Sequence, residues 1–341
     1  MARELTVIVP AYNEEASLAD TIRSLQNQSA PPREILVVDD FSTDRTYEVA
    51  RALGATVLRP PRNTGTKAGA QNFALPQVLT PFTMAIDADT VLAPDAVAKL
   101  ILALRDPEVA AACGFVVPRY TRTLWERGRY IEYLFAFTFY KPIQDYFDKP
   151  MISSGCFSLY RTQALKQNGG WQTRTMAEDM DLTWTFYSRR LAVRFVPEAV
   201  CYPIEPHDFR FMRKQLRRWS HGFVQNVRLH WRDVLDIPYL RTTLAVAVWD
   251  ACVASLVFLL AVPLLTVLFG NPLFLLGYFI DAPSVLVPVL LAAARRREVG
   301  KALASFPSFF FLRIVNSVFV LAAFLTELVL RKHLSTYEKG H

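Results

Sequence analysis

The sequence predicts an α/β domain with a mostly parallel sheet, followed by an amphipathic interface helix and about three C-terminal transmembrane helices. Three observations carry that reading. Over the first hundred residues, short apolar runs alternate with helical stretches of about ten residues, the pattern of βαβ units. After residue 240 the apolar runs exceed the ~20 residues that a spanning helix needs. Between these regions, residues 209–231 combine basic and aromatic side chains in a helical pattern, as interfacial helices do.

In chain order, residues 5–10 read as a buried strand, and a helix starts near Ser17. Residues 34–38 form a second strand ending in Asp39-Asp40. A helix over 44–53, a short strand at 56–58 and a helix over 67–75 follow. Residues 83–86 are a strand ending in Asp87-Ala88-Asp89, and 94–104 a helix with Pro94 at its start. Residues 109–202 are less regular. In them, 123–146 is aromatic-rich and helical, 153–160 reads as a strand and 179–190 as a helix. Open parallel sheets bind ligands beyond the carboxyl ends of their strands. Both acidic pairs fall at such ends, which places a site there without any further knowledge.

The apolar excess is local. Between residues 242 and 270 the only charge is Asp250, between 271 and 294 it is Asp281, and between 302 and 330 only Arg313 and Glu327 occur. Spans are expected at roughly 243–269, 272–294 and 305–330. Asp281, Pro283 and Pro288 make the middle one the weakest, with a re-entrant segment as its alternative. Asp250, Asp281 and Arg313 are costly in lipid. Lining a path for a substrate or product or forming a protomer contact in a homo-oligomer are the roles open to them. Residues 1–4 lead straight into the first strand, leaving no room for a signal peptide. The basic loop 295–301 therefore belongs in the cytoplasm with the N-terminal domain, by the positive-inside rule. Three spans would then put the tail after Arg331 outside, although that tail is basic too. The expected organisation is a cytosolic domain at 1–204, interfacial helices at 205–240, a membrane region at 241–331 and a tail at 332–341.

Apolar residues at 52% and charged residues at 20% exclude a disordered chain. Four cysteines without a C-x-x-C pair exclude a disulfide scaffold and argue against a zinc ribbon. The net charge is +7, and residues 205–232 hold seven Arg or Lys against two acids. Beside a membrane, such a patch suits lipid headgroups or a pyrophosphate, and nucleic acid is not expected as a partner.

Several groups carry chemistry. Asp87 and Asp89 on one turn can hold a hard divalent cation together with substrate phosphates; a solvated loop is the plain alternative. Lys67 follows Asn63-Thr64-Gly65-Thr66 at a helix start, a natural anion site. Glu178-Asp179 precedes a helix, where one carboxylate serves as an N-cap and either suits a catalytic base. Arg217-Arg218-Trp219 offers cations and an aromatic platform. Together these fit transfer from a nucleotide-activated donor.

The motifs V-V-D-D-x-S-T-D (37–44), N-x-G-x-K-x-x-x-x-N (63–72), I-D-A-D-T (86–90), S-G-C-F-S-L-Y-R (154–161), A-E-D-M-D-L (177–182) and Q-L-R-R-W (215–219) occur in an order that resembles family 2 glycosyltransferases. The Q-x-x-R-W form is similar to the membrane synthases of cellulose, chitin, hyaluronan and poly-N-acetylglucosamine. The resemblance implies a glycosyltransferase A-type fold, a UDP-sugar donor and Mg²⁺ or Mn²⁺. It implies that Ala11, Tyr12 and Glu14 lie by the nucleotide, with Asp39 and Asp40 on the uracil. Lys67 would reach the diphosphate, Asp87 the ribose side and Asp89, with Asp87, the metal. Asp179, beside Glu178, would be the general base. Gln215, Arg218 and Trp219 would close over the diphosphate and acceptor, and the strand with Gly155 and Cys156 would line the acceptor site. The implied product is a β-linked glycan made on a growing glycan acceptor. The alternatives are single transfer to a lipid acceptor, a silent nucleotide-sugar-binding subunit, and nucleotidyl transfer. Departures from the pattern are the absence of N-terminal membrane helices, the G-T-K at 65–67, and Phe41 where the family has Gly.

Overall fold

In the computed structural model, residues 4–334 are described. The chain forms two compact units, one of Met1–Val117 with Gln144–Ile204, the other of Pro118–Ile143 with Glu205–His341. The aromatic-rich helical segment at 118–143 thus groups with the apolar helices rather than with the sequence around it. Residues 335–341, most of the expected tail, lie outside the described residues.

The first unit is built on eight strands: β1 (Leu5–Ala11), β2 (Glu34–Asp39), β3 (Thr56–Leu58), β4 (Phe82–Ile86), β5 (Val91–Leu92), β6 (Val109–Val116), β7 (Phe157–Arg161) and β8 (Ala192–Tyr202). Their order in the sheet is β3-β2-β1-β4-β7-β6-β8-β5. Pairings β1–β2, β1–β4, β2–β3 and β6–β8 are parallel, while β7 and β5 pair antiparallel with their neighbours. The sheet is mostly parallel, as expected. β4 and β6 are buried along their whole length, which suits strands covered on both faces.

The helices in chain order are α1 (Leu18–Gln26), α2 (Thr46–Ala52), α3 (Lys67–Ala74), α4 (Ala96–Ala103), α5 (Leu124–Phe135), α6 (Lys141–Tyr146) and α7 (Thr162–Gln167). They continue with α8 (Glu178–Ser188), α9 (Phe209–Leu235), α10 (Leu240–Trp249), α11 (Val262–Phe269), α12 (Ala282–Arg295) and α13 (Val299–Phe324). Local chemistry sets several starts. The Thr66 side chain accepts from Gly69 N–H to cap α3, and Thr123 with Glu126 forms a capping box on α5.

Two expectations need correction. Residues 153–156 are a loop rather than the first half of β7, because α8 takes their backbone groups: Ser153 N–H donates to Thr183 Oγ1 at 2.9 Å. Glu178 and Asp179 do not precede α8 but form its first turn, and its N-cap is Ala177 without a side-chain cap.

In the second unit, Leu240–Phe269 and Val299–Val329 are long and apolar enough to cross a membrane. Pro272–Phe279 and Ala282–Arg295 make a third such element only if taken as one span bent by 41°. The break falls at Asp281, the position that marked this run as weak. Asp281 pairs there with Arg313 at 2.6 Å. His221 is buried 2.8 Å from Glu327.

Candidate active site

Parallel pairing brings three strand ends to one edge of the sheet. Ala11 lies opposite Asp39 in the β1–β2 register, and Ile8 lies opposite Ala85 in β1–β4. The chain therefore leaves β1 at Ala11-Tyr12, β2 at Asp39-Asp40 and β4 at Asp87-Ala88-Asp89 along the same edge. The acidic pairs and the Tyr12 loop share that edge as the sequence predicted.

Each acid there is held differently. Asp39 is fully buried and accepts from Ser42 N–H at 3.0 Å. Its other oxygen is 3.2 Å from Arg59 Nε, a cation that the sequence reading did not single out. Arg59 also stands 5.6 Å over the Phe41 ring. Phe41 has φ +72°, a left-handed conformation in which glycine is at ease. This gives a physical reason for the residue type usual in the resembling family. Asp40 accepts from Thr64 N–H at 2.8 Å and Thr64 Oγ1 at 2.9 Å, so it clamps the loop that leads into α3. Glu14 is buried and accepts from Ser17 Oγ at 2.7 Å, while its N–H donates to Thr46 Oγ1. Its carboxylate thus closes its own turn.

Lys67, Asp87, Gly155 and Asp179 come together around one peptide. Lys67 Nζ donates to the Gly155 carbonyl at 2.9 Å and pairs with Asp87. Asp87 N–H donates to the Cys156 carbonyl at 3.2 Å. The Gly155 N–H donates to Asp179 Oδ2 at 2.8 Å. Asp179 is half-buried at the start of α8, and its Oδ1 accepts from Met180 N–H at 2.9 Å. Glu178 beside it is buried. α8 holds the loop by further bonds, Trp184 Nε1 to the Met151 carbonyl at 2.8 Å and the Tyr187 hydroxyl to the Pro150 carbonyl at 2.6 Å. Burial, with the Asp179 carboxylate second, pushes the Tyr160 hydroxyl above its ordinary value.

Among the described residues, no group of three or more His, Cys, Asp or Glu converges as a metal cage. A cation shared with a diphosphate needs only one or two carboxylates plus phosphate oxygens and water. Asp87 and Asp89, on a turn closed by Thr90 N–H to the Asp87 carbonyl at 3.2 Å, fit that donor set.

The second unit holds Gln215, Arg218 and Trp219 on α9. Gln215 Oε1 accepts from Arg129 Nη2 at 2.7 Å. The Arg129 guanidinium lies 4.4 Å from the Trp219 ring. Arg129 is completely buried, and Glu132 at 2.5 Å and Glu205 at 3.8 Å balance its charge. Arg129 went unnoticed in the sequence because Glu205, Gln215 and Trp219 lie more than seventy residues further on. Asn72 was quoted only as part of a motif. Its Nδ2 donates to the Trp171 carbonyl at 2.6 Å and its Oδ1 accepts from Trp171 N–H at 2.9 Å, which docks α3 on the loop before α8.

Residues 6–169 match the family model described as Glycosyl transferase family 2. The chain is 28% identical over 223 residues to the poly-β-1,6-N-acetyl-D-glucosamine synthase of Staphylococcus epidermidis, covering 64% of this chain and 54% of the relative. The enzyme of the same name from Staphylococcus aureus strain COL is 26% identical with the same coverage. The chain thus spans about half the length of these curated relatives. Among solved structures, the mannosyltransferase PcManGT from Pyrobaculum calidifontis, in complex with GDP-Man and Mn²⁺, matches with a TM-score of 0.63. The identity is 21%, over 96% of this chain and 88% of that one. S. aureus TarS 1-349 in complex with UDP-GlcNAc matches with a TM-score of 0.52 at 16% identity, over 90% and 91% of the two chains. At these identities the structural likenesses speak to fold, and the fold is the glycosyltransferase A type.

Proposed function

We propose that this chain, which carries a family 2 glycosyltransferase domain, is a membrane-bound inverting glycosyltransferase that moves a sugar from a UDP-sugar to a growing β-linked glycan. The observation that carries the reading is the Gly155 peptide, which joins a cation suited to a diphosphate with a carboxylate suited to a base. The names of the curated relatives, synthases of a β-linked polymer, and the UDP-GlcNAc complex of TarS support the donor and product class.

The acceptor hydroxyl attacks the anomeric carbon from the face opposite UDP, so the donor's α-link becomes a β-link through an oxocarbenium-like state. Asp179 takes the hydroxyl proton as the new C–O bond forms. Lys67 neutralises charge on the departing diphosphate. Asp89, with Asp87, would hold Mg²⁺ or Mn²⁺, which when bound supplies further positive charge to that diphosphate. Ala11, Tyr12, Glu14, Asp39 and Asp40 are assigned to the nucleotide side, the last three as residues that shape its loops. Gln215 and Arg218 are assigned to the diphosphate, and Trp219, Gly155 and Cys156 to the acceptor sugar. The catalytic unit is assigned to the cytoplasm, with the basic loop 295–301.

A donor screen tests the proposal. The protein in lipid nanodiscs receives Mn²⁺ and labelled UDP-glucose, UDP-N-acetylglucosamine, UDP-galactose or UDP-glucuronate in turn. The products are divided between organic solvent and a size gel. A water-soluble ladder from one donor is the expected result. Label confined to the organic phase, one sugar per lipid, would replace polymer synthesis by single transfer to a lipid. UDP binding or release with no transfer to any acceptor would overturn the enzymatic reading.

A further inference from the structure

We propose that the helix over Val299–Val329 lies along the membrane surface instead of crossing the bilayer, with its outer apolar stripe as a lipid-contacting face. The inference concerns the second unit alone and does not depend on the reaction.

Length and composition qualify this helix as a span, but its neighbours do not suit one. Leu312 is buried against Met212 and Leu216 of α9, with Val315 and Phe319 packed beside them. Further along, Glu327 Oε1 lies 2.8 Å from His221 Nδ1 and 2.7 Å from Gln225 Nε2. From 312 to 327 the helix advances about 22 Å at ~1.5 Å per residue, and α9 runs beside it from 212 to 225. That stretch of α9 carries Arg213, Lys214, Arg217 and Arg218, with Arg213 and Arg217 exposed. A crossing by α13 would carry these cations through the hydrocarbon beside it, where charged side chains are strongly disfavoured.

The other half of the helix is flanked in the same way. A Cβ on Gly128 of α5 would stand 2.9 Å from Leu312 and 3.0 Å from the Ser308 carbonyl, and Gly128 lies between Arg127 and Arg129. The Tyr130 hydroxyl donates to Glu298 at 3.0 Å, and Lys301 Nζ stands 4.3 Å over its ring. No stretch of the helix as long as the bilayer core is free of such partners. Arg313, at its midpoint, pairs with Asp281 at 2.6 Å. In a surface helix that ion pair sits at headgroup depth, where charge is tolerated.

The two ends agree. Arg295, Arg296, Arg297 and Lys301 precede or open the helix, and Arg331 and Lys332 follow it. Flanking Lys and Arg favour one side of a membrane, and a helix that does not cross satisfies both clusters at once. What remains exposed is a stripe that includes Leu303, Pro307, Phe311, Val318, Leu325 and Val329. It is apolar, as in a helix lying at the headgroup–acyl boundary. The part left to enter the hydrocarbon is residues 251–280, which contain no Asp, Glu, Lys, Arg or His. Exposed apolar side chains crowd the tip of that run, with Val267 the most exposed at 81%.

Residue sidedness tests the inference on the full chain. Gly300→Cys, where a Cβ meets nothing within 4 Å, and Lys332→Cys are each introduced with Cys156→Ser and Cys252→Ser. Cys113 and Cys201 are buried and stay. Sealed vesicles of both orientations are labelled with a membrane-impermeant maleimide before and after permeabilisation. Epitope tags inserted after residues 300 and 332 of the unsubstituted chain, probed by antibody access, repeat the comparison without the serine changes. Both sites reacting from the same face is the expected result. Reaction from opposite faces would overturn the proposal.

Discussion

The backbone N–H of Gly155 donates to Oδ2 of Asp179 at 2.8 Å, and a Cβ on Gly155 would stand 2.8 Å from that same oxygen. The bond and a side chain at 155 cannot coexist without one of them moving. The carbonyl of this residue receives Lys67 Nζ at 2.9 Å, so the peptide fixes base and cation relative to each other. Gly155→Ala is therefore expected to displace Asp179 by a fraction of an ångström to an ångström. A misplacement of that size costs about 10²-fold in rate. Single-turnover rates should fall by about that factor while circular dichroism and UDP affinity stay near those of the parent. An unchanged rate would show that the Asp179 position is not critical.

Asp179→Asn separates geometry from proton transfer. An amide oxygen can still accept the Gly155 N–H, so the loop keeps its anchor, but it cannot take a proton from an acceptor hydroxyl. Transfer should fall by about 10²–10⁴, and calorimetry should find UDP binding retained. Loss of UDP binding in a folded variant would move Asp179 from the acceptor side to the nucleotide side.

Lys67→Met removes the cation bonded to the Gly155 carbonyl and leaves Asp87 without that partner. Hydrogen bonds to charged groups contribute about 1.5–3 kcal/mol, so UDP should bind roughly 10- to 100-fold more weakly. The loss should shrink for uridine, which lacks the diphosphate. Equal weakening of UDP and uridine would argue that Lys67 supports the loop and not the phosphates.

The legible part of this molecule is what repeats locally. Asp39-Asp40 and Asp87-Ala88-Asp89 were visible because each closes an apolar run, and strand ends in a parallel sheet share one edge. Lys67 was visible as the opening of a helix. β6 was not, since Val-Ala-Ala-Ala-Cys-Gly-Phe-Val is rich in residues that favour strands weakly; its pairing with β7 and β8 decides it. Asp40 and Asn72 act by bonding the backbone of distant loops, at Thr64 and Trp171, which no spacing discloses. Residues 153–156 look like strand, but bonds to Thr183 and Asp179 draw them out of the sheet. Arg129 hides within an aromatic helix, and only folding brings it to Gln215 and Trp219.

That buried cluster makes a prediction about pH. Glu205 is 4% exposed, and the Tyr133 hydroxyl donates to it at 2.8 Å. Burial pushes its carboxyl above the ordinary value, while Arg129 and the Tyr133 hydroxyl pull it back only in part. The folded state therefore holds this proton more tightly than the unfolded chain, whose value is about 4.3. The resulting stabilisation is complete below the unfolded value and is lost as pH rises through the folded one. Glu205→Gln keeps the shape and an acceptor for Tyr133 but removes the titration. Variant minus parent stability should thus rise between about pH 4 and pH 8, by about 1.4 kcal/mol for each tenfold of tighter proton binding. Melting temperatures of both proteins in detergent across that range check it. A difference that stays flat would mean that Glu205 titrates alike in both states, and a falling one that the Arg129 charge outweighs burial.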